Sequence, residues 1–302
     1  MRKKSRGIVI LLAVLTIFLL VYAGLRMWNG EQDKKEEEEQ EAARVYVTDT
    51  PAEDIVSMKI SVGNGDLEFE KENGTWYYTP DKDFPLQQSY PEDMAETAGA
   101  IEAERELIDG DSLADYGLDE PSYTIEYTDA DGSLVQVKFG DMTGDDYYVT
   151  VGDQGIVYTV AGTVFDTFNY ALNDLAQLDT YPSIGSGNLV KEVITENGVT
   201  TTYDSADEEQ AEDITAIAGG LGAVTLSETA DYSVDDADLP GYGLDGDART
   251  TVEVTYTEDE TENVITLYIG TQDGSGNRYV MINDSRIVYL ISEEICNNIL
   301  NI

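Results

Sequence analysis

The chain has 302 residues, with 61 acidic side chains against 17 basic ones, no His and a single Cys. This composition excludes His-dependent triads, His-ligated zinc, internal disulfides and CxxC sites. At 26% charged and 41% hydrophobic residues, the chain can still bury a core despite a net charge of -44. We expect folded domains with an acidic surface, which offers no patch for nucleic acid.

The N-terminal part of the sequence predicts a membrane-spanning helix. Residues 1–6 form a basic tail, and Gly7–Leu25 is an uncharged run of 19 residues, which spans roughly 28 Å as a helix. Residues 1–26 carry five basic side chains and no acidic one, so the net charge of -44 becomes -49 on the rest. The positive-inside rule predicts an anchor at 7–28, a cytoplasmic N-terminus and extracellular C-terminal domains. A signal peptide cleaved after Ala23 is the alternative.

A charged tether follows the predicted anchor. Residues 29–44 are rich in Glu and Lys and hold almost nothing apolar, which indicates a solvated spacer. The spacer either lifts the domains off an anionic membrane surface or has no particular role. The folded part is therefore predicted to begin near Val45.

The sequence beyond the tether repeats itself. Tyr116-Gly117-Leu118-Asp119 recurs 126 residues later as Tyr242-Gly243-Leu244-Asp245, and three strand-like segments recur at offsets of 130 or 131. We therefore predict two copies of one unit, repeat 1 at 45–180 and repeat 2 at 188–302. Pro, Gly and Ser cluster at the seam between them.

Hydrophobic periodicity predicts more strands than helices in each repeat. Repeat 1 opens with alternating runs at 55–62, 67–71 and 75–79, which indicate a β-meander. A helix is expected over Pro91–Leu107, followed by four strands. A last helix is expected to place four side chains on one side, namely Phe165, Phe168, Leu172 and Leu175.

Repeat 2 is predicted to follow the same plan. Its first helix bears Ile214, Ile217 and Leu221, and its last helix bears Ile291, Ile295 and Ile299. The fold class predicted is therefore α+β. It comprises two tandem repeats, each an antiparallel β-meander sheet with one or two packed helices, after an N-terminal transmembrane helix.

The order of these motifs resembles a bacterial family called domain of unknown function 4340. The resemblance lies in Trp76 of a hairpin, a helix, the Tyr-Gly-Leu-Asp turn followed by Pro121, a strand ending in Phe139-Gly140 and a Tyr-Tyr-Val strand. It covers most of residues 45–300. It implies a membrane-anchored extracytoplasmic protein without an established activity, in a family sometimes linked with gliding-type ABC transport systems. Repeat 2 departs from the pattern, because it lacks the Pro and the hairpin Trp.

No catalytic or cofactor residue is predicted. Gly241–Gly246 formally satisfies GxGxxG, but a dinucleotide site needs a strand before the motif and a helix after it. GxSxG, SxxK and GxxxxGK[ST] do not occur. A carboxylate-dependent hydrolase is a less favoured alternative. The Tyr-Gly-Leu-Asp motif is interpreted as structural, with glycine in a turn and leucine in the core.

Acidic loops and the 20 Tyr residues suggest a different alternative, in which the protein is an extracellular binding module: the loops for a divalent cation, an exposed Tyr ladder for a glycan or a peptide. Residues 129–132, 140–146 and 235–238 place carboxylates in loops, but Asp and Gly also suit tight turns. We predict no specific metal ligand and only weak Ca²⁺ or Mg²⁺ association from charge. Cys296 is predicted to be a packed thiol.

These observations favour a non-catalytic accessory or interaction module of the cell envelope. It would contact the membrane through Gly7–Leu25 and bind a membrane-protein or transporter partner. Nucleic acid is not expected among its partners.

Overall fold

The computed structural model describes residue 26 and residues 44–63, 65–108, 110–152, 155–246 and 248–302. The predicted basic tail, the anchor Gly7–Leu25 and nearly all of the tether lie outside these residues. Within the described residues, no helix is both long and apolar enough to cross a membrane.

Repeat 1 contains, in its described part, ten strands and two α-helices. The strands are β1 Val45–Tyr46, β2 Ile55–Ser61, β3 Asp66–Glu72, β4 Thr75–Tyr78, β5 Glu102–Ala103, β6 Arg105–Leu107, β7 Tyr123–Asp129, β8 Leu134–Thr143, β9 Asp146–Val151 and β10 Val157–Ala161. The α-helices are α1 Ser89–Gly99 and α2 Gly162–Asp166, and 3-10 helices span Ala52–Asp54, Leu113–Tyr116 and Leu172–Leu175. The main sheet has the order β4-β3-β2-β7-β8-β9-β10-β6, and β1 pairs with β5.

Repeat 2 contains seven strands and three α-helices among the residues that the structure describes. The strands are β11 Leu189–Glu196, β12 Val199–Asp204, β13 Thr229–Asp231, β14 Thr250–Glu258, β15 Thr261–Gln272, β16 Asn277–Ile282 and β17 Val288–Ser292. The α-helices are α3 Ala211–Gly222, α4 Leu239–Tyr242 and α5 Glu293–Ile299, with a 3-10 helix at Glu208–Gln210. The sheet has the order β12-β11-β14-β15-β16-β17-β13.

The two sheets share one topology and differ by one strand. By position in the sheet, β3-β2-β7-β8-β9-β10-β6 corresponds to β12-β11-β14-β15-β16-β17-β13, and β4 is an additional edge strand of repeat 1. The strand pairs with a defined register are antiparallel. The α+β class with antiparallel sheets in two tandem repeats is thereby confirmed.

The alternation of apolar residues explains how each sheet forms its core. On β14, Val252 and Val254 are fully buried while Glu253 between them is exposed, as the period of two of a strand requires. Helix α3 contributes Ile217 and Leu221, both 0% exposed, to the same hydrophobic cluster. Burial of each such side chain stabilises the fold by about 1.5–3 kcal/mol.

The helix predicted over Pro91–Leu107 is too long. Helix α1 ends at Gly99, and the next residues form β5 and β6. A Cβ at Gly99 would lie 2.2 Å from the carbonyl oxygen of Thr50, so the backbones approach closely at the helix end. Strand pairing of β5 with β1 and of β6 with β10 overrides the helical propensity of this Glu-rich segment.

The last helix predicted for repeat 1 is also wrong as a single helix. Helix α2 ends at Asp166, and a separate 3-10 helix carries Leu172 and Leu175. Phe168 and Leu175 are both 0% exposed, so the apolar spacing identified buried positions without identifying a continuous helix. In repeat 2, Ile291 lies in β17 and α5 begins two residues later.

Contacts divide the described chain into two compact units. One unit comprises the described residues up to Asp66 together with Asp93–Asn169, and the other comprises Leu67–Glu92 together with Tyr170–Ile302. The repeat boundaries at 45–180 and 188–302 remain a prediction from sequence repetition.

Candidate functional site

The Tyr-Gly-Leu-Asp motif forms the same turn in both repeats. Gly117 and Gly243 follow a helical turn with φ of 69° and 65°, in the left-handed region that glycine adopts without strain. Leu118 and Leu244 are 2% and 0% exposed, so each leucine fills the core beneath its turn. The acidic residues that complete the motif hold backbone N–H groups: Asp119 accepts from Glu120 and Asp245 from Ala248.

The second repeated motif, a strand glycine, lies directly under this turn. A Cβ at Gly140 would lie 2.1 Å from the carbonyl oxygen of Tyr116, and a Cβ at Gly270 would lie 2.2 Å from that of Tyr242. A side chain cannot occupy that space, so glycine permits the turn and the strand to pack together. The repeated turn and the repeated strand glycine therefore pack against each other in both repeats, and we call this contact the packing joint.

Tyrosine rings complete the joint in each repeat. The ring centroids of Tyr116 and Tyr148 lie 4.7 Å apart, and those of Tyr242 and Tyr279 lie 4.9 Å apart. The Tyr242 hydroxyl donates a hydrogen bond to Asp231 at 3.0 Å. Burial, together with this carboxylate, raises the pKa of Tyr242 to about 12. The GxGxxG at 241–246 begins within α4 and ends four residues after it, and no helix starts between the motif and β14 among the residues that the structure describes there.

The acidic loop at 129–132 lines an open cleft. Among the described residues, no group of three or more His, Cys, Asp or Glu side chains could hold a metal ion. Asp49, Asp54, Asp129 and Asp131 line an open cleft of about 220 Å³. The Asp129 carboxylate accepts from the backbone N–H groups of Asp131 and Ser133, at 3.0 and 2.8 Å, as a turn-forming Asp does. Weak cation association remains a prediction from charge.

Cys296 lies inside the hydrophobic cluster of repeat 2. It is 0% exposed on α5, and burial raises the pKa of its thiol to about 11. A thiol with a raised pKa is rarely ionised at neutral pH, so its nucleophilic form is scarce. Its environment is that of a packing residue.

Repeat 2 buries a carboxyl group that no motif of the sequence marks. Glu192 on β11 is 0% exposed, and neither of its carboxyl oxygens has a hydrogen-bond partner within the described residues. The hydroxyl of Tyr181 is likewise buried and without such a partner. Burial raises the pKa of Glu192 to about 8. Burial and the nearby Glu192 charge also raise the pKa of Tyr181.

Aligning the two repeats on their strands shows that the buried position of Glu192 can be identified from repeat 1. A β-bulge follows Ile55 in β2 and Leu189 in β11. Counted from the bulge, Met58 and Glu192 occupy the same inward-facing position, and Met58 is 2% exposed. Repeat 1 therefore holds an apolar side chain where repeat 2 buries an acid.

A side chain closes the outer edge of the repeat 1 sheet. On β4, the N–H of Trp76 donates to Gln88 Oε1 at 2.8 Å, and Gln88 Nε2 donates to the carbonyl oxygen of Trp76 at 3.0 Å. The Trp76 side chain is 1% exposed. Both outward backbone groups of this residue are thus satisfied within the chain.

The corresponding edge of the repeat 2 sheet is strand β12, whose first four residues are exposed. The N–H of Ser205 donates to the carbonyl oxygen of Val190 at 2.9 Å. Because hydrogen-bonded and non-hydrogen-bonded residue pairs alternate along an antiparallel ladder, this bond shows which β12 residues direct their backbone groups toward β11. Every second residue of β12 therefore directs its backbone groups away from β11, namely Thr200, Thr202 and Asp204.

Within the described part of the chain, one of these three outward positions is capped. The N–H of Asp204 donates to Gln210 Oε1 at 2.8 Å. The outward N–H and carbonyl groups of Thr200 and Thr202 have no partner within the described residues. Repeat 2 therefore presents a row of free backbone donors and acceptors.

Comparison with known proteins gives a family and no closer relative. The family described as Domain of unknown function (DUF4340) matches residues 76–197 and 199–301. No curated protein and no solved structure matches the chain. The two family matches confirm the expected family and its tandem copies. The chain therefore belongs to the DUF4340 family and carries two successive copies of its domain.

Proposed function

We propose that the chain is a single-pass membrane protein whose two DUF4340 repeats lie outside the cytoplasm and bind another envelope protein without catalysing a reaction. The sequence supports the anchor, because Gly7–Leu25 is uncharged and long enough to span a bilayer. The basic residues before it and the acidic chain after it support the orientation.

The observation that carries the binding role is the unequal treatment of the two sheet edges. Folded proteins usually blunt exposed edges, because free backbone groups recruit other strands. Repeat 1 closes its edge with Gln88, whereas repeat 2 leaves the backbone of Thr200 and Thr202 open. An unblunted edge in a protein that repeats the same sheet elsewhere with a closed one supports a recognition role for repeat 2.

Site-specific photocrosslinking of the full chain in intact membranes tests this function. A photoreactive residue is introduced in turn at Leu134, Val199 and Val264, which are 65%, 69% and 60% exposed. Repeated recovery of one heterologous envelope protein supports the proposal, and a subunit of an ABC-type transport system is the first candidate from the family resemblance. If all three positions yield no heterologous protein, the binding role is wrong.

Two further measurements test the rest of the proposal. Alkaline extraction should leave the chain in the membrane fraction, and protease added outside intact cells should reach the repeats. Extraction into the soluble fraction would contradict the anchor. Hydrolysis of an envelope polymer by the purified chain, lost on substitution of one Asp or Glu, would contradict the absence of catalysis.

A further inference from the structure

Strand β12 is the longest and least protected of the outer strands in the two described main sheets. The outer strands β6 and β13 have three residues each, and β4 has four residues and the Gln88 cap. Strand β12 has six residues, and Val199 at its start is 69% exposed. Short and capped edges are protected against pairing with other chains, so β12 is the main-sheet edge most open to an added strand.

Repeat 1 shows what lies at this place when it is occupied. Strand β4 pairs antiparallel with β3, with Trp76 opposite Lys71 and Tyr78 opposite Phe69. The Trp76 side chain on β4 is buried, whereas no strand lies beyond β12 in the described part of the repeat 2 sheet. The pairing of β4 with β3 in repeat 1 is thus a template for a strand added beside β12 in repeat 2.

The charges around the open edge favour a basic occupant. Asp204 lies on β12, and Glu196 precedes its hairpin turn. The 3-10 helix after the strand begins next to Asp207 and contains Glu208 and Glu209. The hydrogen bond from Asp204 N–H to Gln210 of that helix brings these carboxylates beside the end of β12.

Charge complementarity also separates the candidate occupants. Pairing of two β12 edges from two copies of this chain would bring their carboxylates together, and like charges across an interface oppose association. An extended segment rich in Lys or Arg would instead be attracted to the edge. Every second residue of this added segment would face the core side of the repeat 2 sheet, and at the matching place in repeat 1, β4 buries Trp76.

We propose that β12 is the docking edge for an extended basic segment of a partner protein, which adds to the repeat 2 sheet as an antiparallel strand. The segment occupies the place that β4 takes in repeat 1, with its backbone bonded to Thr200 and Thr202. This inference rests on the proposed binding function and names the surface and the partner chemistry.

A proline substitution tests the backbone role directly. Thr202 directs its N–H outward, so Thr202→Pro removes a donor needed by an added strand and none needed by β11. Thr202→Ala is the matched control, because it removes the side chain and keeps the N–H. Thr200→Pro is the second variant, at the other uncapped outward position.

The probe is a synthetic peptide with the sequence of Gly74–Thr79 flanked by two lysines at each end, added to the full chain in detergent. Fluorescence anisotropy should show saturable binding to wild type and to Thr202→Ala. Thr202→Pro and Thr200→Pro should each weaken binding by about two- to tenfold, as expected for one lost backbone hydrogen bond. A thermal melt checks that both proline variants remain folded.

Several outcomes would overturn the docking edge. Equal binding by wild type and both folded proline variants would exclude the backbone, and equal binding of a glutamate-flanked peptide would exclude the basic character. A concentration-dependent dimer lost in Thr202→Pro would identify a second copy as the occupant. Absence of saturable peptide binding to wild type would also reject β12 as the docking edge.

Membrane crosslinking separates failure of this inference from failure of the proposed function. A partner captured equally by wild type and by Thr202→Pro would reject β12 as the edge while leaving the binding function in place. Capture from Val199 that Thr202→Pro abolishes, with capture from Val264 unchanged or absent, is the expected result.

Discussion

Replacing Glu192 with Met should stabilise the protein at neutral pH. Met is the residue at the equivalent position of repeat 1, and it removes a buried carboxyl group. The ordinary pKa of this group is 4.5, and burial raises the pKa of Glu192 to about 8 in the folded protein. At pH 7 the folded protein thus binds a proton that the unfolded chain has lost. At about 1.4 kcal/mol for each unit between 4.5 and 7, the cost is about 3 kcal/mol.

The pH dependence has a definite sign. Below pH 4.5 the carboxyl is protonated in both states, so the full stability is present. Between pH 4.5 and about 8 only the unfolded chain releases the proton, and stability falls by about 1.4 kcal/mol per pH unit. Above the folded-state pKa both states are ionised and the loss levels off. The advantage of Glu192→Met should therefore grow across this window.

Urea unfolding of the full chain in detergent, followed by circular dichroism from pH 5 to pH 9, measures this effect. The variant should exceed wild type by less than about 1 kcal/mol at pH 5 and by about 3 kcal/mol at pH 7. Glu192→Gln should remove the same pH slope. Glu196→Met, at an exposed position of the same strand, is the control and should leave the slope unchanged. A constant difference between Glu192→Met and wild type at every pH would refute the reasoning.

Three other substitutions or reactions test the packing. Gln88→Ala should lower the free energy of unfolding by about 1 kcal/mol, because Trp76 loses both edge hydrogen bonds; an unchanged urea midpoint would show that the cap adds nothing. Gly270→Ala should lower the free energy of unfolding by about 1–3 kcal/mol, because the new Cβ would clash with the Tyr242 carbonyl oxygen. Gly185→Ala is the control, since nothing lies within 4 Å of its new Cβ. Equal melting temperatures for the two variants would contradict the close packing at Gly270. Cys296 should react with a thiol reagent only after unfolding, and rapid labelling of the folded chain would contradict its burial.

Alternating apolar residues made most strands predictable. Strand β14 reads as buried and exposed residues in turn, and helix α3 places Ile214, Ile217 and Leu221 at helical spacing. The repeated Tyr-Gly-Leu-Asp turn was interpretable because Gly and Leu have distinct backbone and burial preferences. These features depend on local periodicity, which the sequence displays directly.

Features that depend on distant pairing were not predictable in the same way. The end of α1 is set by Thr50 and by pairing with β1 and β10, which no local pattern reveals. Glu192 looked like one of many surface acids, because its burial follows from the bulge after Leu189. The open edge of β12 was not predictable, because the sequences of β4 and β12 do not show which strand lies at a sheet edge or whether that edge is capped.

The meander order of the strands also has a kinetic consequence. Strands β14, β15 and β16 each pair with the next strand along the chain, so the ribbon from β14 to β17 closes short loops and should form first. Strand β11 pairs with β14 only after α3 and α4 have been synthesised between them. Strand β11 can pair with β12 as soon as both are synthesised, but its opposite edge stays open until β14 follows, and the surplus of acidic residues around it would slow aggregation at that edge.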